Sequence, residues 1–347
     1  MKKKIVVFGA GAVGGYTGGQ LARAGEDILL IDPWSEHIDC IKRDGLHLST
    51  PEEEHTVKVP GMYLHEVQSL AKDPVDIVII SVKSYDTEWA AAMMKQYLKP
   101  DGFVVSLQNS INEERIAGIV GWGKTVGCIA SGISVDLYKP GHIKRTLMPG
   151  AKGKLVFRAG EVHGRITERV KHLAEMLSAV DGAKATNNLW GERWTKLIVN
   201  SMNNAVSAVT GLNSKMIVEQ EGPRMLSIKL GAEAVQVGVA LGYDLENIRG
   251  MTAEMLMAAG RGEQKAIAEV QDKMFETTKH RTEEGRPSTA QDIRKGRRTE
   301  TDFINGLVAQ KGREAGLPTP ANEKITALIK RLERGELKPS PETIAGI

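Results

Sequence analysis

Cysteine is nearly absent from this chain of 347 residues: Cys40 and Cys128 stand alone, with no C-x-x-C pair and no histidine cluster at ligand spacing. That argues against a disulfide framework and against a zinc or other metal site, and it suits a reducing compartment. Long apolar runs are missing as well, since no stretch approaches the roughly 18 apolar residues of a membrane span. The opening "MKKKIVVFGAG" is basic, but its apolar run stops after five residues and enters glycines, too short for a secretory signal. Nor does one charge dominate: 46 Lys and Arg against 43 Asp and Glu leave a net charge of +3. A nucleic-acid or membrane binder would show a clustered basic face instead. The nearest approach, Arg294, Lys295, Arg297 and Arg298, reads as a solvated helix face. Internal repeats and low-complexity tracts are lacking too. The expectation is a cytoplasmic protein without nucleic-acid or membrane partners, long enough for two domains of about 100–200 residues each.

What is present begins four residues in. "KIVVFGAGAVGGYTGGQLARAG" couples a β-branched run, residues 4–8, to Gly9-x-Gly11-x-x-Gly14 and then to a helix ending near Gly25. In that order the glycines let the backbone amides at the helix start, those of Ala12 and Val13 included, approach a pyrophosphate. A second strand, "DILLID", follows and ends in Asp32, a little beyond the usual ~20 residues from the glycines. A carboxylate there accepts from both hydroxyls of an adenosine ribose and repels a 2′-phosphate. This favours NAD(H), with NADP(H) as the alternative; the following "PWSEH" has no arginine to clamp a phosphate. A second reading of Asp32, as the cap of the next turn, stays open.

The alternation continues with a strand over 76–83, a helix over 85–98 and a strand over 102–109. Ligands of open α/β sheets lie outside the carboxyl ends of strands, so Lys83 and Asn109 point at one crevice. Residues 125–160 read as a few strands joined by Gly and Pro turns. From about Gly164 helical periodicity takes over, at 164–180, 190–209, 223–241, 263–283, 299–315 and 321–334. The expected fold is α/β: a Rossmann-type dinucleotide-binding domain over 1–185, an all-helical substrate domain over 186–334, and a loosely held tail, 335–347.

One of those helices, "WTKLIVNSMNNAVSAVTG" (194–211), has polar residues of the wrong sort for a surface. At about 100° per residue, Asn200, Asn203, Asn204 and Ser207 fall within an arc of roughly 100° around Lys196, and the remainder is apolar. Asparagine is a poor interior helix residue, so such a slot should face something polar. When a nicotinamide delivers hydride to a carbonyl carbon, the oxygen gains negative charge and needs a proton. Lys196 is the best-placed donor, and the asparagines suit holding the substrate because they carry no charge. The alternative is a lysine that snorkels to solvent beside asparagines that bridge domains. Further on, Ser288 precedes a helix and is open to two readings, cap or ligand. Glu300 opens the helix expected at 299–315, where the N-terminal dipole welcomes an acid. Asp302 and Asn305 lie there on a second polar slot.

The stretches "FGAGAVGG", "SVKSYDT", "LQNSINEE", "WTKLIVNSMNNAVSAVTG" and "PSTAQDIRKGRRTETDFINGL", in this order, resemble the ketopantoate reductases (2-dehydropantoate 2-reductases) over the chain to about residue 334. These are relatives of the 6-phosphogluconate and hydroxyacid dehydrogenases. The resemblance implies reduction of the C2 carbonyl of ketopantoate, on the way to pantothenate. It makes Lys196 the general acid and Glu300 the acid supporting substrate and lysine. Asn200, Asn204, Ser288 and Asn109 become substrate-binding residues, Asn109 also meeting the nicotinamide, and Lys83 falls on the cofactor side. A homodimer is implied by analogy. Three positions depart from the family pattern: Ser110 stands where a glycine is usual, Gly285 where an asparagine often precedes the serine, and Asp32 where a basic residue serves NADPH. An NAD-linked dehydrogenase of another branched 2-hydroxy acid, working in catabolism, is therefore an alternative. A dinucleotide sensor without turnover is a third, opposed by the presence of Lys196, Asn200, Ser288 and Glu300.

Overall fold

The computed structural model describes residues 2–150, 155–279 and 286–347. The chain divides into two compact units, Met1–Leu189 and Trp190–Ile347. Among the described residues no helix is long and apolar enough to cross a membrane.

The first unit runs β1 (Lys4–Phe8), α1 (Ala12–Arg23), β2 (Asp27–Asp32), α2 (Ser35–Asp44), β3 (Leu46–Ser49), β4 (Glu54–Val57), β5 (Gly61–Tyr63), β6 (Val75–Ile80), α3 (Thr87–Lys95), β7 (Leu98–Ser106), α4 (Glu113–Val120), β8 (Thr125–Ala130), β9 (Val135–Lys139), β10 (His142–Arg145), β11 (Phe157–Glu161), α5 (Glu168–Leu177) and β12 (Ala183–Thr186). The main sheet has the order β12-β11-β8-β7-β6-β1-β2-β5. All its pairs are parallel except β11 with β8. Strands of a parallel sheet are covered on both faces, which is why Ile5, Val6, Val7 and Phe8 form an unbroken apolar run, all fully buried. Because β1 lies between β2 and β6, the strand order reverses there, which puts the topological switch point at the carboxyl ends of β1 and β6. Since β12 pairs with β11, this unit extends past residue 185.

A second sheet, β4-β3-β10-β9, was not expected from the sequence. Its strands are four or five residues long, and β10 pairs with β3 from almost a hundred positions away. Nothing local signals such a pairing. Glu161, at the end of β11, is tied to α5: Arg169 Nε and Nη2 donate to it at 2.7 and 2.5 Å, and Thr167 Oγ1 at 2.5 Å. Burial pushes this carboxyl up, but the Arg169 and Thr167 bonds outweigh it and hold Glu161 below the usual range.

The second unit is built from α6 (Leu189–Thr210), α7 (Ser214–Glu219), α8 (Glu221–Ala240), α9 (Ala253–Gly260), α10 (Gln264–Thr278), α11 (Ser288–Arg294), α12 (Asn305–Glu314) and α13 (Pro320–Glu333). The helix expected over 299–315 begins instead at Asn305, after a 3-10 turn at Thr301–Phe303 and a break at Ile304. Side chains compete with the helix there: Thr299 donates to Glu333 through N at 2.8 Å and Oγ1 at 2.6 Å, and Thr301 N donates back to Thr299 Oγ1 at 3.2 Å. Residues 335–347 are held more firmly than expected. Ser340 N donates to Val209 O at 2.9 Å, and Leu337, Ile344 and Ile347 pack on the core of this unit.

Candidate functional site

In the first unit, the glycine turn owes its shape to close approach. Gly9 has φ +98°, and a Cβ there would lie 2.7 Å from the Val82 nitrogen. A Cβ on Gly14 would overlap the Gly9 carbonyl oxygen and lie 2.8 Å from Ser81 Cβ, so α1 can sit this close to β1 and β6 only with glycine. Gly11 is different. A Cβ there meets nothing within 4 Å, although Gly11 is the N-cap of α1. No side chain caps this helix end and no acid stands in its first turn. Its leading amides, those of half-buried Ala12 and Val13, carry the positive end of the helix dipole. That is the cradle a pyrophosphate needs.

Asp32 sits half-buried at the tip of β2, and its Oδ1 accepts the Trp34 N–H at 2.9 Å. The turn-capping reading therefore has its bond, and that bond also fixes the carboxylate at the strand tip. Lys83 and Asn109 each lie three residues past a strand and not on its last residue, because β6 stops at Ile80 and β7 at Ser106. Both are half-buried. The loops that carry them are stitched together. Gln108 Nε2 donates to Val82 O at 2.9 Å and Thr87 Oγ1 at 2.8 Å; Asn112 Nδ2 donates to Asn109 O at 2.8 Å; Arg115 Nη1 donates to Ser84 O at 2.6 Å. These three positions do not stand out from sequence, although "QN" in the strand-end loop and "NEER" at the start of α4 carry the amide and guanidinium donors such stitching requires. Ser110 has φ +67°, so this serine occupies a left-handed conformation that glycine adopts more easily.

In the second unit, α6 is fixed in rotation by its packing on α8. Trp194 is fully buried, its Nε1 donates to Ala234 O at 2.8 Å, and a Cβ on Gly238 would overlap that nitrogen. A Cβ on Gly231 would lie 2.7 Å from Met202. Trp194 stands about 160° around the helix from Lys196 at ~100° per residue. Seating the indole on α8 turns Lys196 the other way. From Gly191 to Thr210 the residues not fully buried are Lys196, Val199, Asn200 and Asn203, one stripe. Asn204 is buried at the edge of that stripe and its Nδ2 donates to Ser288 Oγ at 3.4 Å, which brings two of the expected substrate-binding residues together. Ser207, grouped with them by angle, donates inward to Leu212 O at 2.6 Å.

Ser288 does not cap its helix. Pro287 holds the N-cap position and Ser288 is the first residue inside α11. Glu300 is buried, immediately before the 3-10 turn. The second polar slot is structural: Asn305 Nδ2 donates to Asn322 Oδ1 at 2.9 Å and Ser201 O at 3.3 Å, while Asp302 pairs with Lys330 at 2.5 Å. Gly285, one of the positions departing from the family pattern, lies outside the described residues.

The family model for "Ketopantoate reductase PanE/ApbA" matches residues 5–159, and that for its C-terminal domain matches residues 188–333. This chain belongs to the ketopantoate reductase family. It is an oxidoreductase of the ketopantoate reductase type, acting on a 2-oxo acid. Among curated relatives, the 2-dehydropantoate 2-reductase of Pyrococcus horikoshii is 29% identical over 339 residues, covering 95% of this chain and 97% of its own. That of Mesorhizobium japonicum is 29% identical over 356 residues, at 96% and 99%. Among solved structures, a PanE/ApbA family ketopantoate reductase from Ralstonia eutropha superposes with a TM-score of 0.75 at 29% identity, over 96% of this chain and 99% of that one. D-mandelate dehydrogenase, solved with NADH and anilino(oxo)acetate, gives 0.79 at 25% identity, over 96% and 100%.

Proposed function

We propose that this protein transfers hydride between NAD(H) and C2 of ketopantoate, with Lys196 as the proton donor. The observation that carries the reading is the accessible stripe of α6, Lys196, Val199, Asn200 and Asn203, on a helix that is otherwise buried from Gly191 to Thr210 and locked in rotation. The open helix start at Gly11 to Val13 suits a dinucleotide pyrophosphate, with Lys83 and Asn109 on the nicotinamide side and Asp32 on the ribose. When bound, the nicotinamide supplies the hydride. Lys196 gives a proton to the carbonyl oxygen as that oxygen becomes anionic; Asn200 and the Asn204–Ser288 pair hold the substrate, and Glu300 supports the lysine and a substrate hydroxyl.

Asp32 is the reason for preferring NAD(H) over NADP(H), since its carboxylate opposes a 2′-phosphate. The likeness to D-mandelate dehydrogenase, solved with NADH, favours a second reading: an NAD-linked dehydrogenase of another 2-hydroxy acid. A panel of ketopantoate and bulkier 2-oxo acids, each with NADH and NADPH, separates the two. Highest kcat/KM for ketopantoate with NADH supports the first; ketopantoate turnover only with NADPH removes the role given to Asp32; preference for a bulkier acid supports the second. The proposed solution form is a homodimer, checked by sedimentation.

A further inference from the structure

His37 is fully buried in the first unit, at the start of α2, yet hydrogen-bonded at both ring nitrogens. Gly141 N–H donates to Nδ1 at 2.8 Å, and Nε2 lies 2.9 Å from the Ala10 carbonyl oxygen. A backbone N–H can only donate and a carbonyl can only accept, so one tautomer satisfies both: neutral imidazole, with Nδ1 bare and the proton on Nε2. Ala10 is the middle residue of Gly9-Ala10-Gly11. In a trans peptide the C=O and the following N–H point in opposite directions. Drawing the Ala10 carbonyl towards His37 therefore aims the Gly11 N–H the other way. We propose that His37 is a positioning residue for the cofactor, setting the orientation of the Ala10–Gly11 peptide in the dinucleotide turn.

The surroundings hold the imidazole in that role. Trp34 stacks on it, ring centroids 5.8 Å apart and planes 23° apart, and the Trp34 N–H is itself fixed on Asp32. Gly141 has φ +71° and packs against α2 so closely that a Cβ there would lie 2.8 Å from Cys40 Cβ. It belongs to the turn between β9 and β10, so His37 joins the glycine turn of the main sheet to the small sheet. Titratable groups on the elements around it include Asp32 on the β2 tip, Lys139 and His142 beside Gly141 on the β9–β10 hairpin, and Glu36, Asp39 and Cys40 on its own helix. Burial pushes the imidazole below the ordinary histidine value, against the opposing pull of the Ala10 bond and of Asp32. Protonation would place a second donor against the Gly141 N–H and break the clamp. Cofactor affinity is therefore full above the ordinary histidine range and falls as the pH drops below it.

The inference rests on the proposed dinucleotide site, and the test separates the two. NADH dissociation constants are measured between pH 5.5 and 8 for the wild-type protein, His37→Leu and His37→Gln, with melting curves and kcat at saturating NADH alongside. Leucine removes both bonds. It should raise the NADH Kd about tenfold at pH 7.5, roughly the worth of one net hydrogen bond, with a much smaller change in kcat. Glutamine has an acceptor and a donor at a spacing close to that of the ring nitrogens and does not titrate, so it should bind NADH near the wild-type level and lose the acid fall in affinity. A folded His37→Leu that binds NADH like the wild type overturns the inference, as does a His37→Gln that keeps the wild-type acid limb. The glutamine profile decides even if the leucine variant does not fold. Wild-type protein that binds no nicotinamide dinucleotide would instead refute the site on which the inference is built.

Discussion

Alanine at Gly11 and alanine at Gly14 should fail in different ways, although both replace a glycine of one motif. At Gly14 the new methyl overlaps the Gly9 carbonyl oxygen and lies 2.8 Å from Ser81 Cβ. α1 must then back away from β1 and β6. Overpacking of this kind costs about 1–3 kcal/mol, and at ~2–4 °C per kcal/mol for a unit this size Tm should fall by about 2–12 °C. At Gly11 the methyl meets nothing within 4 Å, and φ is −61°, which alanine adopts without strain. The gain of about 0.4–1 kcal/mol from a stiffer unfolded chain roughly offsets the weaker N-cap, so Tm should move by no more than ~3 °C. Yet that methyl stands in front of the first amides of α1. Displacing a pyrophosphate from them should raise the NADH Kd by about a hundredfold, ~3 kcal/mol. Thermal melting and NADH titration of the two variants provide the assay. A Gly11→Ala protein that melts and binds NADH like the wild type would refute the assignment of the open helix start as the cofactor cradle.

Other expectations follow from the packing. Gly238→Ala should push Trp194 off its bond to Ala234 O, lower stability by about 2 kcal/mol, and reduce kcat by turning α6; melting and steady-state kinetics on the same preparation check both. Glu161→Gln, which leaves half-exposed Arg169 without its carboxylate, should cost about 2 kcal/mol, less than a fully buried pair would. Because Glu161 is held below the usual carboxylate range in the folded chain, its contribution is fully present above the ordinary glutamate value and is lost as the pH falls below it. Melting curves for wild type and Glu161→Gln should therefore converge in acid and separate towards neutrality.

What could be read from sequence is what periodicity and spacing encode. The strand, glycine turn and helix of residues 4–23 and the stripe around Lys196 both follow from nearest neighbours along one element, and the structure has both. Strand ends were less legible. Lys83 and Asn109 read as closing strands, because the apolar residues Val82 and Leu107 continue past the last ladder residues and the Ser81 and Leu107 amides still donate to Phe8 and Ile80. The small sheet could not be read at all, since β3 and β10 find each other across the chain. The polar face of Asp302 and Asn305 looked like a second slot because amphipathic spacing does not say whether a polar side chain meets a ligand or a neighbouring helix; Asn305 meets Asn322. His37 lay hidden for the same reason, as its partners Ala10 and Gly141 contribute only backbone groups.

The central claim is that Lys196 supplies the proton. The most direct test is kcat for ketopantoate reduction by wild type and Lys196→Ala at saturating NADH, with NADH affinity measured on the same samples. The account predicts a fall in kcat of about 10²–10⁴ with NADH binding retained. A Lys196→Ala protein that reduces ketopantoate within tenfold of the wild-type rate would contradict it.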